Sequence, residues 1–423
     1  MQQRRILTAI AAAAVVVGAC SSGATPSPSS PAASAPAASQ PGASAPAESQ
    51  PAASGGGVPS GAPTALGPTE GELNLIAWAG YVVGGTGGEQ VQGYDWVTPF
   101  EQATGCKVTV KVGVDSANMV QLMKTGQYDG VSASGDATLR LIAGGDVAPV
   151  NFNLIPNYKD VFDGLKNQSY NTVDGVGYGV PHGRGANLMV WNTNDLPKTN
   201  TSWAPIWPGT DYKGKLSIYD NQIFIADAAI YLKATQPDLN ITNPYELDDS
   251  QFNAAVDLLK QQRPNIGEYW DGSTYAKQVT SFKSGESAVG TTWQYMVNLM
   301  AAEKPPVPVQ AIVPKEGTTG WSDTWMIASK AAHPNCMYLW MNYIISPEAN
   351  AKVAEYFGEA PSNAKSCDLT TDKTHCEIYH ANDESYWTNI YFWNTPQADC
   401  GDDRGDVCKT SEDWRAAWTE IKG

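Results

Sequence analysis

The sequence is poor in basic residues and lacks the short motifs of several enzyme classes. Its 423 residues include 27 Lys+Arg against 43 Asp+Glu, which gives a formal net charge of −16. This acidic balance argues against nucleic acid as a partner, because such binding depends on clustered Lys and Arg. No phosphate-binding Gly-x-x-x-x-Gly-Lys-Ser/Thr loop, Gly-x-Ser-x-Gly elbow or His-Glu-x-x-His motif occurs. A carboxylate pair for glycoside cleavage remains an alternative, although nothing in the sequence marks one.

Phenylalanine is also scarce relative to the other aromatic residues. There are 8 Phe against 14 Trp and 19 Tyr. Trp and Tyr combine a large apolar ring with a polar group, and they are common where a surface must grip a ligand. With 42% hydrophobic residues, the chain is long enough for two or three domains with a sizeable core.

The only long apolar run lies at the N-terminus and is too short to span a bilayer as a helix. Arg4 and Arg5 precede the run Ile6 to Val17, which is followed by Gly18-Ala19-Cys20. This pattern is typical of a bacterial lipobox, in which the cysteine is lipidated and becomes the new N-terminus. We therefore expect residues 1–20 to be a lipoprotein signal peptide and Cys20 to anchor an extracytoplasmic protein to the membrane. An ordinary signal peptide with a chance cysteine is the alternative.

Residues 21–68 lack aromatic residues and hydrophobic periodicity. They consist almost entirely of Ala, Ser, Pro, Gly and Gln. Such a segment buries too little surface to offset the entropy of ordering it. It is predicted to be a disordered tether.

Six cysteines remain after Cys20, an even number that suits disulfides in an oxidising compartment. The expected pairs are two close ones and, by elimination, one distant one: Cys367 with Cys376, Cys400 with Cys408, and Cys106 with Cys336. Zinc is the alternative for one group, since Cys367, His375, Cys376 and His380 offer four ligands. Their spacing fits no standard zinc finger, so no metal is expected.

Short apolar runs alternate with helical periods from about residue 70 onward. Strands are predicted at 73–78, 106–112 and 128–131, and helices at 94–104, 115–124, 222–234, 248–263, 273–284, 334–346 and 347–357. This alternation predicts an α/β fold with ligands at the carboxyl ends of strands.

An ordered set of motifs resembles the bacterial spermidine/putrescine-binding protein family. Trp78 and Tyr81 match its Trp-x-x-Tyr. The stretch 201–214 resembles Thr-Ser-Trp-Ala-x-x-Trp…Tyr-Lys-Gly, and 314–323 resembles Pro-Lys-Glu-Gly…Trp-x-Asp. Ser-Pro-Glu-Ala at 346–349 continues the series. The resemblance covers roughly residues 72–423.

The resemblance implies a two-lobed periplasmic-binding-protein fold of type II, with the ligand in a cleft between two α/β domains joined by crossover strands. Lobe one would comprise 70–184 and 323–366, and lobe two 185–322 and 367–423. The family role is the solute-binding component of an ABC importer, which closes on its ligand and delivers it to a membrane permease. It implies no cofactor and no catalysis, and we expect a monomer.

The resemblance also implies ligand-binding residues. A polyamine needs aromatic faces along its methylenes and carboxylates at its ammonium groups. The positions that match are Trp78, Tyr81, Ser134, Trp293, Trp321, Asp323 and Asn394, the last where the family has Gln. Each tryptophan has an alternative reading as a core residue, and Asp323 as a solvated or capping carboxylate.

Several positions depart from the family pattern. Asp136 and Glu359 stand where the family has tyrosines, and both are candidates to hold ammonium groups or to face solvent. The paired acids of the family map to Asn221 and Phe224, so that one acidic clamp is lost, although Asp220 is adjacent.

The sharpest departure is Arg184, which lies between two glycines where the family has an aromatic residue. One reading is a structural ion pair with Asp136 or Glu359. The other is a contact to a ligand carboxylate, since the planar guanidinium suits a carboxylate. The sequence thus predicts binding of a polyamine, with a zwitterionic ω-amino acid such as 4-aminobutyrate as the alternative.

Overall fold

The structure is a computed structural model that describes residues 58–196, 199–209, 212–272 and 274–423. Cys20, the predicted signal peptide and most of the predicted tether lie outside these residues. Among the described residues, no helix has the length and apolar character needed to cross a membrane.

Short strands and helices alternate along the described chain. The strands are β1 Glu72–Ala77, β2 Lys107–Val112, β3 Gly130–Ala133, β4 Thr172–Val173, β5 Val176–Gly177, β6 Val180–Pro181, β7 Gly183–Ala186, β8 Leu188–Asn192, β9 Leu216–Tyr219, β10 Ile266–Trp270, β11 Val289–Thr292, β12 Val309–Ile312, β13 Thr318–Trp321, β14 Thr324–Ile327, β15 Ala360–Pro361 and β16 Ile390–Phe392. The helices are α1 Val97–Thr104, α2 Ser116–Met123, α3 Gly135–Ala143, α4 Phe224–Thr235, α5 Asp249–Gln262, α6 Tyr275–Ser284, α7 Gln294–Ala302, α8 Pro334–Ile344, α9 Pro347–Phe357, α10 His375–Ile378, α11 Glu384–Trp387 and α12 Ser411–Lys422.

Local sequence signals explain several helix ends. The Asp248 carboxylate accepts a hydrogen bond from the Gln251 backbone N–H, and the Gln251 side-chain oxygen accepts one from the Asp248 backbone N–H, which forms a capping box at the start of α5. Asp115 caps α2 through the backbone N–H of Asn118. Gly105 ends α1 at a φ of 76°, a left-handed conformation that glycine adopts without steric cost. The predicted helices agree with these bounds to within two or three residues.

Two five-stranded sheets form the cores of two α/β lobes. The first has the order β2-β1-β3-β14-β6, and the second has the order β10-β9-β11-β8-β12. A third sheet, β15-β7-β13-β16, contains the segments in which the chain passes from one lobe to the other. The chain passes to lobe two through β6-β7-β8, returns through β12-β13-β14, and passes to lobe two again after β15, since α12 packs in the core of lobe two. The exact lobe limits predicted from the sequence stay predictions.

The predicted tether extends too far into the folded part. The Gly67 backbone N–H donates to the Asn335 side chain at 2.7 Å, and the Asn151 side chain donates to the Pro63 carbonyl at 2.8 Å. Leu66 packs against the core of lobe one. The expected boundary near residue 69 is therefore corrected, because the residues before it are fixed by specific contacts.

Three disulfides occur among the described residues: Cys106–Cys336, Cys367–Cys376 and Cys400–Cys408. The sulfurs of Cys367 and Cys376 are bonded to each other, so this arrangement does not offer them as thiolate ligands for zinc. The distant bond joins the residue after Gly105 to the first turn of α8 within lobe one.

Candidate functional site

The candidate site lies where both crossovers meet the carboxyl end of β3. Strands β14 and β3 are antiparallel and align Thr324 with Ala133. The preceding Asp323 therefore lies beside Ser134, the residue that precedes α3. The backbone N–H of His182, in the other crossover, donates to the Asp323 carbonyl at 2.8 Å.

Asp323 is buried and fully engaged by two hydroxyl groups. Tyr81 donates to its Oδ2 atom at 2.7 Å, and Ser134 donates to its Oδ1 atom at 2.5 Å. Burial raises the pKa of Asp323 to about 6, although both hydrogen bonds act in the opposite direction. The sequence-predicted set Tyr81, Ser134 and Asp323 is thus brought together in one cluster.

Glu359 is completely buried beside this cluster. Its Oε1 atom lies 3.5 Å from the Nε2 atom of His182, and the Tyr81 hydroxyl also approaches its carboxyl. Burial and the negative charge of Asp323 raise the pKa of Glu359 well above its usual value. The Glu359 carboxyl lies over the backbone of Gly183, where an added Cβ would be 2.4 Å from it.

His182 supplies a neutral contact to Glu359 and was not among the predicted site residues. Its Nδ1 atom lies 2.9 Å from Nε1 of Trp325, and an indole nitrogen only donates. Nδ1 is therefore the acceptor, and Nε2 carries the proton toward Glu359. Burial lowers the pKa of His182 to about 3, which keeps the ring uncharged at neutral pH. The sequence places His182 next to Gly183 in the crossover, but it does not show toward which residue the side chain points.

Asp136 adds a third buried carboxylate near Asp323. It lies in the first turn of α3 and accepts a hydrogen bond from Ser116 at 2.8 Å, while its Oδ2 atom has no partner among the described residues. Burial raises the pKa of Asp136, and its charge raises that of Asp323. Within the described chain, none of Asp136, Asp323 and Glu359 lies within 4.0 Å of a Lys or Arg nitrogen. We call these three residues the acid cluster.

Aromatic rings from the crossovers and from both lobes lie beside the acid cluster. The ring centroids of Trp321 and Phe357 are 5.8 Å apart, and those of Trp293 and Trp321 are 6.2 Å apart. Phe357 in turn contacts Tyr81 at 4.6 Å. The Trp321 ring lies over Gly185, where a Cβ would approach it to 2.3 Å, so that glycine is needed there.

Hydrogen bonds set the position of Trp293. Its indole N–H donates to the Asn187 side-chain oxygen at 2.8 Å. The Asn187 amide donates to the Thr319 hydroxyl, and that hydroxyl donates to the buried carboxylate of Asp227 at 2.9 Å. This chain of contacts links the aromatic wall to the core of lobe two.

Trp78 and Asn394 occupy less central positions. Trp78 is half-buried and packs against the two clusters of apolar side chains in lobe one. Asn394 is also half-buried and donates to the Ser169 hydroxyl at 3.2 Å. The adjacent Trp393 stacks on Tyr219, with ring centroids 5.8 Å apart.

Arg184 points away from the acid cluster. Successive residues of a strand face opposite sides, and Gly183 and Gly185 face Glu359 and Trp321. The Arg184 guanidinium donates to Glu384 at 2.7 Å and lies 4.2 Å from the Trp387 ring. The expected ion-pair partners, Asp136 and Glu359, are therefore corrected to Glu384.

The family's pair of acids, which maps to positions 221 and 224, has no acidic counterpart in the described part of lobe two. Phe224 is buried in the core of that lobe. Asn221 accepts a hydrogen bond from the Ile223 backbone N–H, and Asp220 is paired with Lys422 at 2.6 Å. The buried acids of the site thus come from lobe one and the crossovers, and Trp293 is the ring that lobe two adds.

A cavity of about 320 Å³, including space open to solvent, adjoins the aromatic wall. It is bounded by Trp293 and Trp321 on one side and by the segment that contains α10 and α11 on the other. The acid cluster itself is closed and does not line this cavity.

The chain is similar to known bacterial proteins. Residues 95–377 match the family model described as bacterial extracellular solute-binding protein. Spermidine/putrescine-binding periplasmic protein 1 of Haemophilus influenzae is 26% identical over 294 residues, or 68% of this chain and 74% of that protein. The corresponding protein of Escherichia coli is 25% identical over 284 residues, or 65% of this chain and 77% of that protein.

A solved structure shows the same fold. The spermidine/putrescine ABC transporter substrate-binding protein of Streptococcus pneumoniae superimposes with a TM-score of 0.62 at 17% identity, covering 83% of this chain and 97% of that chain. The predicted two-lobed type II fold is thereby confirmed.

Proposed function

Because the chain belongs to the family of bacterial extracellular solute-binding proteins, we propose that it captures a polyamine between its lobes and delivers it to the permease of an ABC importer. The observation that carries this proposal is the acid cluster, in which no Lys or Arg nitrogen of the described residues lies within 4.0 Å of any of the three buried carboxylates. Uncompensated buried carboxylates are unfavourable, and a bound ammonium group would compensate them.

The surroundings of the acid cluster suit an alkyl ammonium rather than a metal ion. Trp321 and Phe357 supply apolar faces for methylenes, and aromatic faces also attract cations. A charge-assisted hydrogen bond from an ammonium group to Asp323 contributes about 1.5–3 kcal/mol. His182 remains uncharged beside Glu359 and therefore does not replace the ammonium.

The relatives support the same ligand class. The similar proteins of Haemophilus influenzae and Escherichia coli are named for binding spermidine and putrescine. The Trp-x-Asp motif, the Trp78–Tyr81 pair and Ser134 match that family's pattern. We include the lipid anchor on Cys20, the extracytoplasmic location and a monomeric state in the proposal.

The alternative ligand, 4-aminobutyrate, has less support. It requires Arg184 to hold a carboxylate, but that guanidinium is already engaged by Glu384 and by the Ala381 carbonyl. Arg184 also faces away from Glu359. A zwitterion would therefore leave its carboxylate without a free cationic partner at this position.

Calorimetric titration tests the proposal. The full chain carrying Cys20→Ser would be exported to an oxidising compartment and titrated with putrescine, spermidine and 4-aminobutyrate. We expect saturable binding of a diamine or triamine, weakened at least tenfold by Asp323→Asn. Asp220→Asn is the matched control, because this acid is already paired with Lys422. Binding of 4-aminobutyrate alone, or equal affinity in Asp323→Asn, would contradict the proposal.

A further inference from the structure

Two buried acids share one hydroxyl group in the acid cluster. The Tyr81 hydroxyl lies 2.7 Å from the Oδ2 atom of Asp323 and also approaches the carboxyl of Glu359. Tyr81 and Glu359 are 0% exposed, and Asp323 is 4% exposed. A tyrosine hydroxyl has a single proton, so it can donate to only one of these two carboxyl groups.

The hydrogen bonds indicate that Asp323 is the acid that receives this proton. Asp323 accepts from Tyr81 through Oδ2 and from Ser134 through Oδ1, an arrangement that suits an ionised carboxylate. The Glu359 carboxyl then faces the lone pairs of the Tyr81 oxygen. An ionised Glu359 would have no hydrogen to place between the two oxygens, whereas a carboxylic acid would donate its O–H to Tyr81.

No cationic group compensates Glu359 from the described elements that pack against it. His182, in the first crossover, is uncharged. The other ionisable groups beside Glu359 are Asp323 and Tyr379, and both are acids. His375 contacts only the backbone carbonyl of Glu359, at 2.8 Å, and burial lowers the pKa of that histidine. Burial and the charge of Asp323 raise the pKa of Glu359 well above its usual value, in agreement with the hydrogen-bond assignment.

We propose that Glu359 is a carboxylic acid in the unliganded protein and that it releases this proton when an ammonium group binds to the acid cluster. The O–H bond of Glu359 breaks, its electron pair stays on the carboxylate, and the proton passes to the solvent buffer. The N–H bonds of the ammonium group remain intact and take over the donor role. Capture of the amine is thus an exchange of one cation for another, which limits the net charge that is buried. The inference rests on the proposed function, because it needs an ammonium group at the acid cluster.

Calorimetry in two buffers counts the protons that are released. The full chain carrying Cys20→Ser is titrated with putrescine at pH 7.5 in phosphate and in Tris, whose enthalpies of ionisation differ. The difference between the two observed binding enthalpies gives the number of protons released per ligand, and we expect about one. The dissociation constant should decrease about tenfold from pH 7 to pH 8, because a rise of one pH unit favours the loss of one proton by that factor.

Glu359→Gln has no proton to release, but its amide can still donate to Tyr81. We expect this variant to bind putrescine with the release of fewer than about 0.2 protons, and its dissociation constant should change less than about twofold from pH 7 to pH 8. Asp220→Asn is the matched control, because this acid lies outside the acid cluster and is paired with Lys422. The control should release as many protons as the parent chain.

The outcomes separate the inference from the proposed function. Putrescine binding without proton release in the parent chain, or equal proton release in Glu359→Gln, would overturn the inference and leave the proposed function standing. If Glu359→Gln fails to fold or to bind, infrared difference spectroscopy of the parent chain with carbon-13-labelled glutamate decides, since the isotope separates Glu359 from Asp136 and Asp323. The labelled C=O band of a protonated carboxyl should disappear when putrescine is added, and its persistence would overturn the inference. No binding of any amine would overturn the proposed function and the inference together.

Discussion

Replacing Asp323 by asparagine is expected to stabilise the unliganded protein while it weakens amine binding. The carboxyl is 4% exposed, and burial raises its pKa from an ordinary 3.8 to about 6. Folding thus favours the protonated form of Asp323 more than the unfolded state does. The free energy of unfolding therefore decreases as the pH rises from about 4 through 6. The ionised carboxylate at pH 7 costs about 3 kcal/mol of unfolding free energy.

Asparagine removes this cost and keeps the shape of the side chain. Its amide retains an oxygen acceptor, and the hydroxyls of Tyr81 and Ser134 can rotate to suit the new donor. Urea unfolding of Asp323→Asn should therefore show a gain approaching about 3 kcal/mol at pH 7, falling below about 1 kcal/mol at pH 4. The same variant should lose at least tenfold in putrescine affinity.

A loss of stability at pH 7, or a gain that does not depend on pH, would refute this reasoning. Asp220→Asn serves as the matched control, since it removes a carboxylate that Lys422 already compensates. We expect that control to lower the unfolding free energy or leave it unchanged, because its ion pair is lost.

Three further perturbations follow from the described contacts. Gly185→Ala would place a methyl group 2.3 Å from the Trp321 ring, and calorimetry should show at least tenfold weaker amine binding. Replacing Cys106 and Cys336 by alanine opens a sequence separation of 230 residues and should cost about 5 kcal/mol in urea unfolding, against about 2.5 for either short-range disulfide. Thiol titration of the denatured, non-reduced chain should detect none of these six cysteines, and four or more free thiols would contradict the pairing. Arg184→Ala should lower the unfolding free energy by about 2 kcal/mol, because it removes the packing and cation–π contact of a buried side chain together with an ion pair to the half-exposed Glu384; an unchanged urea midpoint would contradict that role.

The helices and the fold class could be predicted because their signals are local. The Asp248 and Gln251 pair marks the start of α5, and Ser346 followed by Pro347 marks the start of α9. The order of strand and helix indicated an α/β fold. The motif resemblance indicated the two-lobed arrangement, which the similarity to a solved structure confirms.

The partners of the crossover residues could not be predicted from local signals. Arg184 alternates with two glycines, but the sequence does not say which side of that strand faces the ligand. The contact of His182 with Glu359 depends on β7 pairing with β15, which brings residues 177 positions apart together. The end of the tether could not be predicted from local signals either, because Pro63 and Gly67 contact residues that are distant in the sequence.

The Cys106–Cys336 bond has a consequence for the order of folding. It joins two parts of lobe one between which the chain inserts the whole second sheet. Strand β14, which lies between β3 and β6 in the first sheet, also comes after that insertion. As the chain is made from its N-terminus, lobe one must wait for its missing strand and for its cysteine partner until the whole second sheet has been synthesised. The sheet of lobe two runs from residue 188 to 312. Lobe two therefore has all its strands before lobe one does, although its sheet begins later in the chain.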